Sequence, residues 1–166
     1  MMSKIDSIKE LYVSQLQDML DAEEQLVDAL HKMAEKAGSD KLKASLHDHL
    51  ETTKQQAETV KQILESMGEE VKGKKCKGMQ GIISEGEEML RKDVDRDVMD
   101  VAIVDSASKV EHYEMASYNA IKQFADLLGD KDAADKIGDI LREEEKTAKS
   151  LEEMAKKEIN VEAPLR

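Results

Sequence analysis

Three glutamates stand in positions where a helix would ordinarily bury an apolar side chain. Between Ile5 and Ala37, apolar residues recur in steps of three and four: Ile5, Ile8, Tyr12, Leu16, Met19, then Glu23, then Leu26, Leu30, Met33 and Ala37. Glu114 interrupts a second such series (Ile103, Ala107, Val110, then Ser117, Ile121, Phe124, Leu128). Glu144 interrupts a third (Ala134, Ile137, Leu141, then Ala148, Leu151, Ala155). At about 100° per residue these spacings describe helices with one buried face, and each glutamate falls near the centre of its apolar arc. A carboxylate buried without a partner is costly or takes up a proton, and several in one core repel one another. No Lys or Arg occupies the central positions of these stripes. A divalent or trivalent cation would neutralise the group, because hard cations favour oxygen ligands.

Two further residues join the candidate set. His49 flanks the stripe of another helix, formed by Leu42, Leu46, Leu50, Thr53, Ala57, Val60, Leu64 and Met67, and Glu111 lies one turn before Glu114, nearer the edge of its arc. Glu23, Glu114 and Glu144 each fall near the middle of their helices, so antiparallel packing would bring them to one level. The metal-ligand candidates are therefore Glu23, His49, Glu111, Glu114 and Glu144, with Thr53 and Gln56 placed to hydrogen-bond around them. The competing reading is a polar layer that binds nothing and fixes helix register.

Other reactive residue types carry weaker signals. His31 and His47 are expected to face solvent, and His112 points roughly away from the Val110–Glu114 stripe, where it would serve an oligomer contact. Cys76, between Lys75 and Lys77, is a candidate for a lowered thiol pKa, although a lone loop cysteine with no base nearby is ordinarily inert. The ten methionines sit at helical spacing and read as core filler. No nucleophile with its base, phosphate-binding loop or dinucleotide fingerprint is present.

The elements that must position the glutamates emerge from the same periodicity. The first helix ends at Gly38-Ser39-Asp40, and the second runs from there to Gly68, so a short loop joins an antiparallel pair. Residues 69–78 are irregular and basic, a crossover leading to a short helix from about Met79 to Lys92. Asp93 or Asp95 caps the next long helix, Gly129-Asp130 ends it, and the last runs from 131 to about Ile159. The fold class expected is all-α: a ferritin-like antiparallel four-helix bundle with a long crossover carrying a short fifth helix, one domain over 1–160 and a flexible tail over 161–166.

Composition agrees. With 166 residues the chain can bury about 70 % of its unfolded surface. Aromatic residues make up 2 %, Trp is absent and the one proline is Pro164, which suits long helices better than strands. The balance of 37 acidic against 25 basic residues, a net charge of −12, disfavours nucleic acid and anionic membranes as partners and favours cations. A single cysteine, an N-terminal stretch without an apolar signal core and no run of membrane-spanning length give the expectation of a cytoplasmic protein.

The motifs Asp21-Ala22-Glu23-Glu24-Gln25-Leu26, His49-Leu50-Glu51-Thr52-Thr53, Cys76-Lys77-Gly78-Met79-Gln80-Gly81, Lys109-Val110-Glu111-His112-Tyr113-Glu114-Met115-Ala116-Ser117-Tyr118 and Glu143-Glu144-Glu145-Lys146 resemble the bacterial YciE/YciF-like stress-protein family over essentially the whole chain. The resemblance implies a five-helix ferritin-like subunit, a homodimer, and a di-metal centre of iron or manganese akin to rubrerythrin and other di-iron carboxylate proteins. A ferroxidase-like activity on Fe(II), oxygen or peroxide is the reaction it suggests. The sequence also departs from the pattern. It contains no Glu-x-x-His, Thr147 stands where a bacterioferritin-like ligand helix has histidine, and Thr52 stands where the family commonly has a second glutamate. A single-metal site is thus the alternative to a two-metal centre, and a non-catalytic helical dimer the alternative to an enzyme.

Overall fold

Helix boundaries are set by caps. The structure, a computed structural model, describes residues 5–165. The Ser7 hydroxyl accepts the Glu10 N–H (3.1 Å) and starts α1, Ile8–Lys36. Ser39 does the same for α2, Asp40–Ser66, leaving a turn of three residues between the two. The crossover leads into α3, Lys77–Leu90, and Asp95 caps α4, Arg96–Leu128. Gly129, at φ 75°, closes α4 in the left-handed conformation that glycine adopts freely, and Asp130 caps α5, Lys131–Met154. A π-helical turn over Ala155–Ile159 and a last helical turn, Asn160–Glu162, complete the described chain. No strand occurs among the described residues.

The long helices close into a bundle in which neighbours run antiparallel: α1 packs on α2 and α4, and α5 on α4 and α2, while α3 lies across α4 and α1. Asp100, buried at the start of α4, fixes the α1–α4 register. Its two oxygens accept the N–H groups of Gly38 (2.6 Å) and Ser39 (2.8 Å), and Arg96 donates to the Gly38 carbonyl. About four turns back along α1 and four forward along α4 from this clamp lie Glu23 and Glu114. On the opposite side, Lys41 pairs with Glu158 and Gln56 reaches Glu143 and Glu144, so α2 and α5 are also antiparallel. The core is the expected aliphatic one, including Leu16, Leu26, Leu30, Leu42, Leu46, Leu64, Ile103, Ile121 and Ile137.

The all-helical hairpin–crossover–hairpin architecture is as the periodicity predicts, with local corrections. Ile5 precedes the Ser7 cap and is 48 % exposed, and Ile8, in the first turn, is 44 % exposed, so neither belongs to the buried stripe. The short helix starts at Lys77, not Met79, because the Cys76 sulfur accepts the Met79 N–H and caps it. At the far end of α4, Leu128 is exposed, while Tyr118 and Ala125 are buried in place of Ser117 and Phe124. The buried arc of α4 is broader than a single stripe because three helices pack on it.

Candidate metal centre

Glu23 comes from α1, His49 from α2, Glu111 and Glu114 from α4, and Glu144 from α5. All four carboxylates are at most 1 % exposed and His49 is 6 % exposed. One ligand-type atom each from His49, Glu111, Glu114 and Glu144 lie within 4.8 Å of one another. Glu23 is outside that set of four, yet its carboxylate lies against Glu114 and accepts a hydrogen bond from the buried Tyr118 hydroxyl. Glu111, expected at the edge of its arc, is fully buried beside His49, whose Nε2 stands 3.0 Å from Glu111 Oε1 without the alignment of a hydrogen bond.

Protein donors serve this cluster sparsely. Tyr118 donates to Glu23 Oε1, and the Gln56 amide donates to Glu144 Oε1 and, at 3.1 Å, to Glu143 Oε2. Oε2 of Glu23 and Glu144 and both oxygens of Glu111 and of Glu114 are buried with no donor among the described residues except a shared carboxyl proton. Glu23 and Glu114, and likewise Glu111 and Glu144, are close enough to share one. Thr53, expected as a hydrogen-bonding neighbour, is buried with its hydroxyl oxygen unpartnered.

Burial is the main force on the protonation states. It pushes Glu23 up to about 8, with the Glu144 charge adding to it, and Glu111 up to about 7. Glu144 rises to about 9 through burial and then the Glu111 carboxyl, and Glu114, surrounded by the other three, is held well above the usual carboxylate range. Burial also lowers the pKa of His49 against the pull of Glu144 and Glu23, so the imidazole is neutral and its lone pair is free. Without a cation these acids hold protons. A cation that replaces those protons finds one imidazole nitrogen and several unsatisfied carboxylate oxygens, a donor set able to hold a metal ion.

Features outside the cluster are resolved as well. Cys76 is buried, and burial raises its thiol pKa, contrary to the lowering that Lys75 and Lys77 suggest; both lysines are exposed and the sulfur sits 3.2 Å from Tyr113 Oη. His31, His47 and His112 are exposed, as expected. Thr52 and Thr147, the two positions where a richer site would have ligands, line one cleft between α2 and α5 together with His49. No helix among the described residues is long and apolar enough to cross a membrane. Tyr118 and its bond to Glu23 are not marked by the apolar series; the available signal is the four-residue step from Glu114, which puts both on one face.

The chain resembles known proteins over nearly its full length. Residues 7–164 match a family described as a domain of unknown function, DUF892. Protein YciF of Escherichia coli is 36 % identical over 158 residues, 95 % of each chain. The crystal structure of that E. coli stress protein superposes with a TM-score of 0.90, covering 94 % of this chain and 99 % of the other. YcfI from Rhodopseudomonas palustris superposes with a TM-score of 0.88 at 34 % identity, covering 92 % and 97 %. A protein from Xanthomonas campestris pv. campestris, 24 % identical with a TM-score of 0.73 over 90 % and 92 %, shares the fold. With the family match spanning the whole bundle and a relative at this identity along its length, the chain belongs to the DUF892 family as a YciF-like protein.

Proposed function

We propose that this protein is a ferritin-like carboxylate metal protein that holds iron or manganese among Glu23, His49, Glu111, Glu114 and Glu144 and acts on Fe(II), dioxygen or peroxide in a stress response. The observation that carries this reading is the set of buried carboxylate oxygens without donors, converging from three helices on one neutral imidazole. Four ligand-type atoms within 4.8 Å suit one ion, and Glu23 beside Glu114 extends the set toward a second. Bound iron or manganese would supply one-electron chemistry at the seam. The protein supplies a neutral His49, carboxylates that exchange protons for the cation, and a site closed to bulk water on all sides but one. Tyr118 orients Glu23, and Gln56 orients Glu144.

The reading includes a homodimer, supported by the family resemblance, with the exposed His112 face of α4 as its contact. The rival is a non-catalytic helical dimer in which the cluster serves register, supported by the bonds Tyr118–Glu23 across α4 and α1 and Gln56–Glu144 across α2 and α5. Metal analysis separates the two. Protein prepared without chelators and loaded anaerobically with Fe(II) or Mn(II) should retain stoichiometric metal after gel filtration, and aerated Fe(II)-loaded protein should consume dioxygen. Failure to retain either metal overturns the proposal. Sedimentation at micromolar concentration should give the mass of a pair, and a monomer would remove the dimer from it.

A further inference from the structure

The cluster is sealed by its own helices except at His49, the most exposed of its five residues. His49 lines a cleft of about 350 Å³ between α2 and α5, the least closely packed of the adjacent long-helix pairs. The groove between α4 and α5 that includes His112, Met115 and Ala148, and the one along the start of α1, contain none of the five. Asp48, Thr52, Glu143, Lys146, Thr147 and two serines make up the rest of the α2–α5 cleft.

Its chemistry is that of an acceptor-rich passage. Thr52 donates its hydroxyl proton to the Asp48 carbonyl (3.2 Å) and Thr147 donates to the Glu143 carbonyl (3.0 Å), each one turn back along its own helix. With those protons engaged, both threonines offer lone pairs. Asp48 and Glu143 add exposed carboxylates, against Lys146 as the cation of the lining. Gln56 then links outside to inside, since its one amide nitrogen touches both Glu143 in the cleft and Glu144 in the cluster.

Resting on the metal-binding reading above, we propose that the α2–α5 cleft is the route by which a hydrated divalent cation reaches the cluster, drawn by Asp48 and Glu143 and passed between Thr52 and Thr147 to His49. The short threonine side chains keep the passage open, and the carboxylates favour a cation over an anion at its mouth.

The test is the rate of loading, read without any catalytic assay. Metal-free protein is mixed with Mn(II), and the disappearance of the free-ion EPR signal is followed for wild type, Thr52→Leu/Thr147→Leu, Asp48→Asn, and Ser108→Leu in the α4–α5 groove. The doubly plugged variant should load roughly tenfold more slowly to the same final stoichiometry, with Ser108→Leu like wild type. Asp48→Asn should be slower at low ionic strength and converge on wild type at high salt. Loading of the plugged variant at the wild-type rate, equal slowing by Ser108→Leu, or a salt-independent Asp48→Asn overturns the route. Should the plugged variant fail to fold, as judged by its melting curve, the Asp48→Asn comparison decides. If wild type itself takes up neither Mn(II) nor Fe(II), it is the metal-binding proposal that fails.

Discussion

Glu114 and Glu144 are where a small chemical change separates a ligand from a structural residue. Glutamine keeps the volume and removes the charge, so Glu114→Gln/Glu144→Gln should lose metal uptake while the metal-free bundle becomes more stable near pH 8, where the native acids must hold protons that the unfolded chain has already released. Metal analysis and a melting curve check both halves; unchanged uptake would remove these residues from the site. The three central glutamates are legible in the sequence because each breaks an apolar series at its midpoint. Glu111 is legible only as an edge residue, since one helix's periodicity does not reveal that α1, α3 and α5 all pack on α4 and widen its buried arc. Tyr118 is illegible as a partner because an aromatic on a buried face reads equally well as core. The Cys76 pKa moves the other way from its neighbours' charges because lysines that stay in solvent are screened, while burial acts on the sulfur directly.

At the level of elements, the register of the site depends on contacts far from it. Asp100 accepts two N–H groups from the α1–α2 turn, and its loss would leave both without that acceptor, one of them in a buried setting. Asp100→Ala should cost about 2–4 kcal/mol, because buried donors lose a charged acceptor. For a chain of this size that is a fall in melting temperature of roughly 5–15 °C by calorimetry. Asp100→Asn, which keeps one acceptor oxygen, should lose less. α3 is held by a similar device. Asp21 Oδ2 accepts the Cys76 N–H (2.7 Å), Gln25 donates to the Cys76 carbonyl (3.1 Å), and a Cβ at Gly78 would come within 2.5 Å of Tyr113 Oη. The helices and their order can be read from stripes, caps and glycines. The start of α3 cannot, because a thiol is outside the usual set of capping side chains. Ile5 and Ile8 mislead because an apolar residue at the edge of a periodic run says nothing about whether the neighbouring helices extend far enough to cover it.

For the whole molecule, the buried acids tie stability to pH. Glu23, Glu111, Glu114 and Glu144 have native pKa values above the ordinary 4.5, so between that value and the native ones the native state holds more protons than the unfolded chain and stability falls as pH rises, the loss completed at about 7 for Glu111, about 8 for Glu23 and about 9 for Glu144. His49, lowered in the native state, acts oppositely, gaining stability as pH rises toward its unfolded value of 6.5, and is silent above it. The metal-free protein should therefore melt at progressively lower temperature between pH 7 and pH 9. Metal-loaded protein, its carboxylates already ionised, should show a much flatter profile. A metal-free profile that is flat or rises over that range would show that the four acids are not buried together in solution. Four of the acids behind the formal net charge of −12 are the buried glutamates; the remaining negative excess lies outside and adds general self-repulsion, which salt reduces, so repeating the series at two ionic strengths separates it from the buried acids.

The π-helical turn at Ala155–Ile159 bears on how this fold can vary. A π turn stores one residue more than the regular winding needs, and here Ile159 at its end is still buried and Glu158 still meets Lys41. Deleting a single exposed residue such as Lys157 would let the helix run on as ordinary α without rotating its last residues to a new side. The length of this chain can therefore change by one at this point while the bundle's last contacts stay in place, the spare residue being carried in the winding of a helix instead of in a loop.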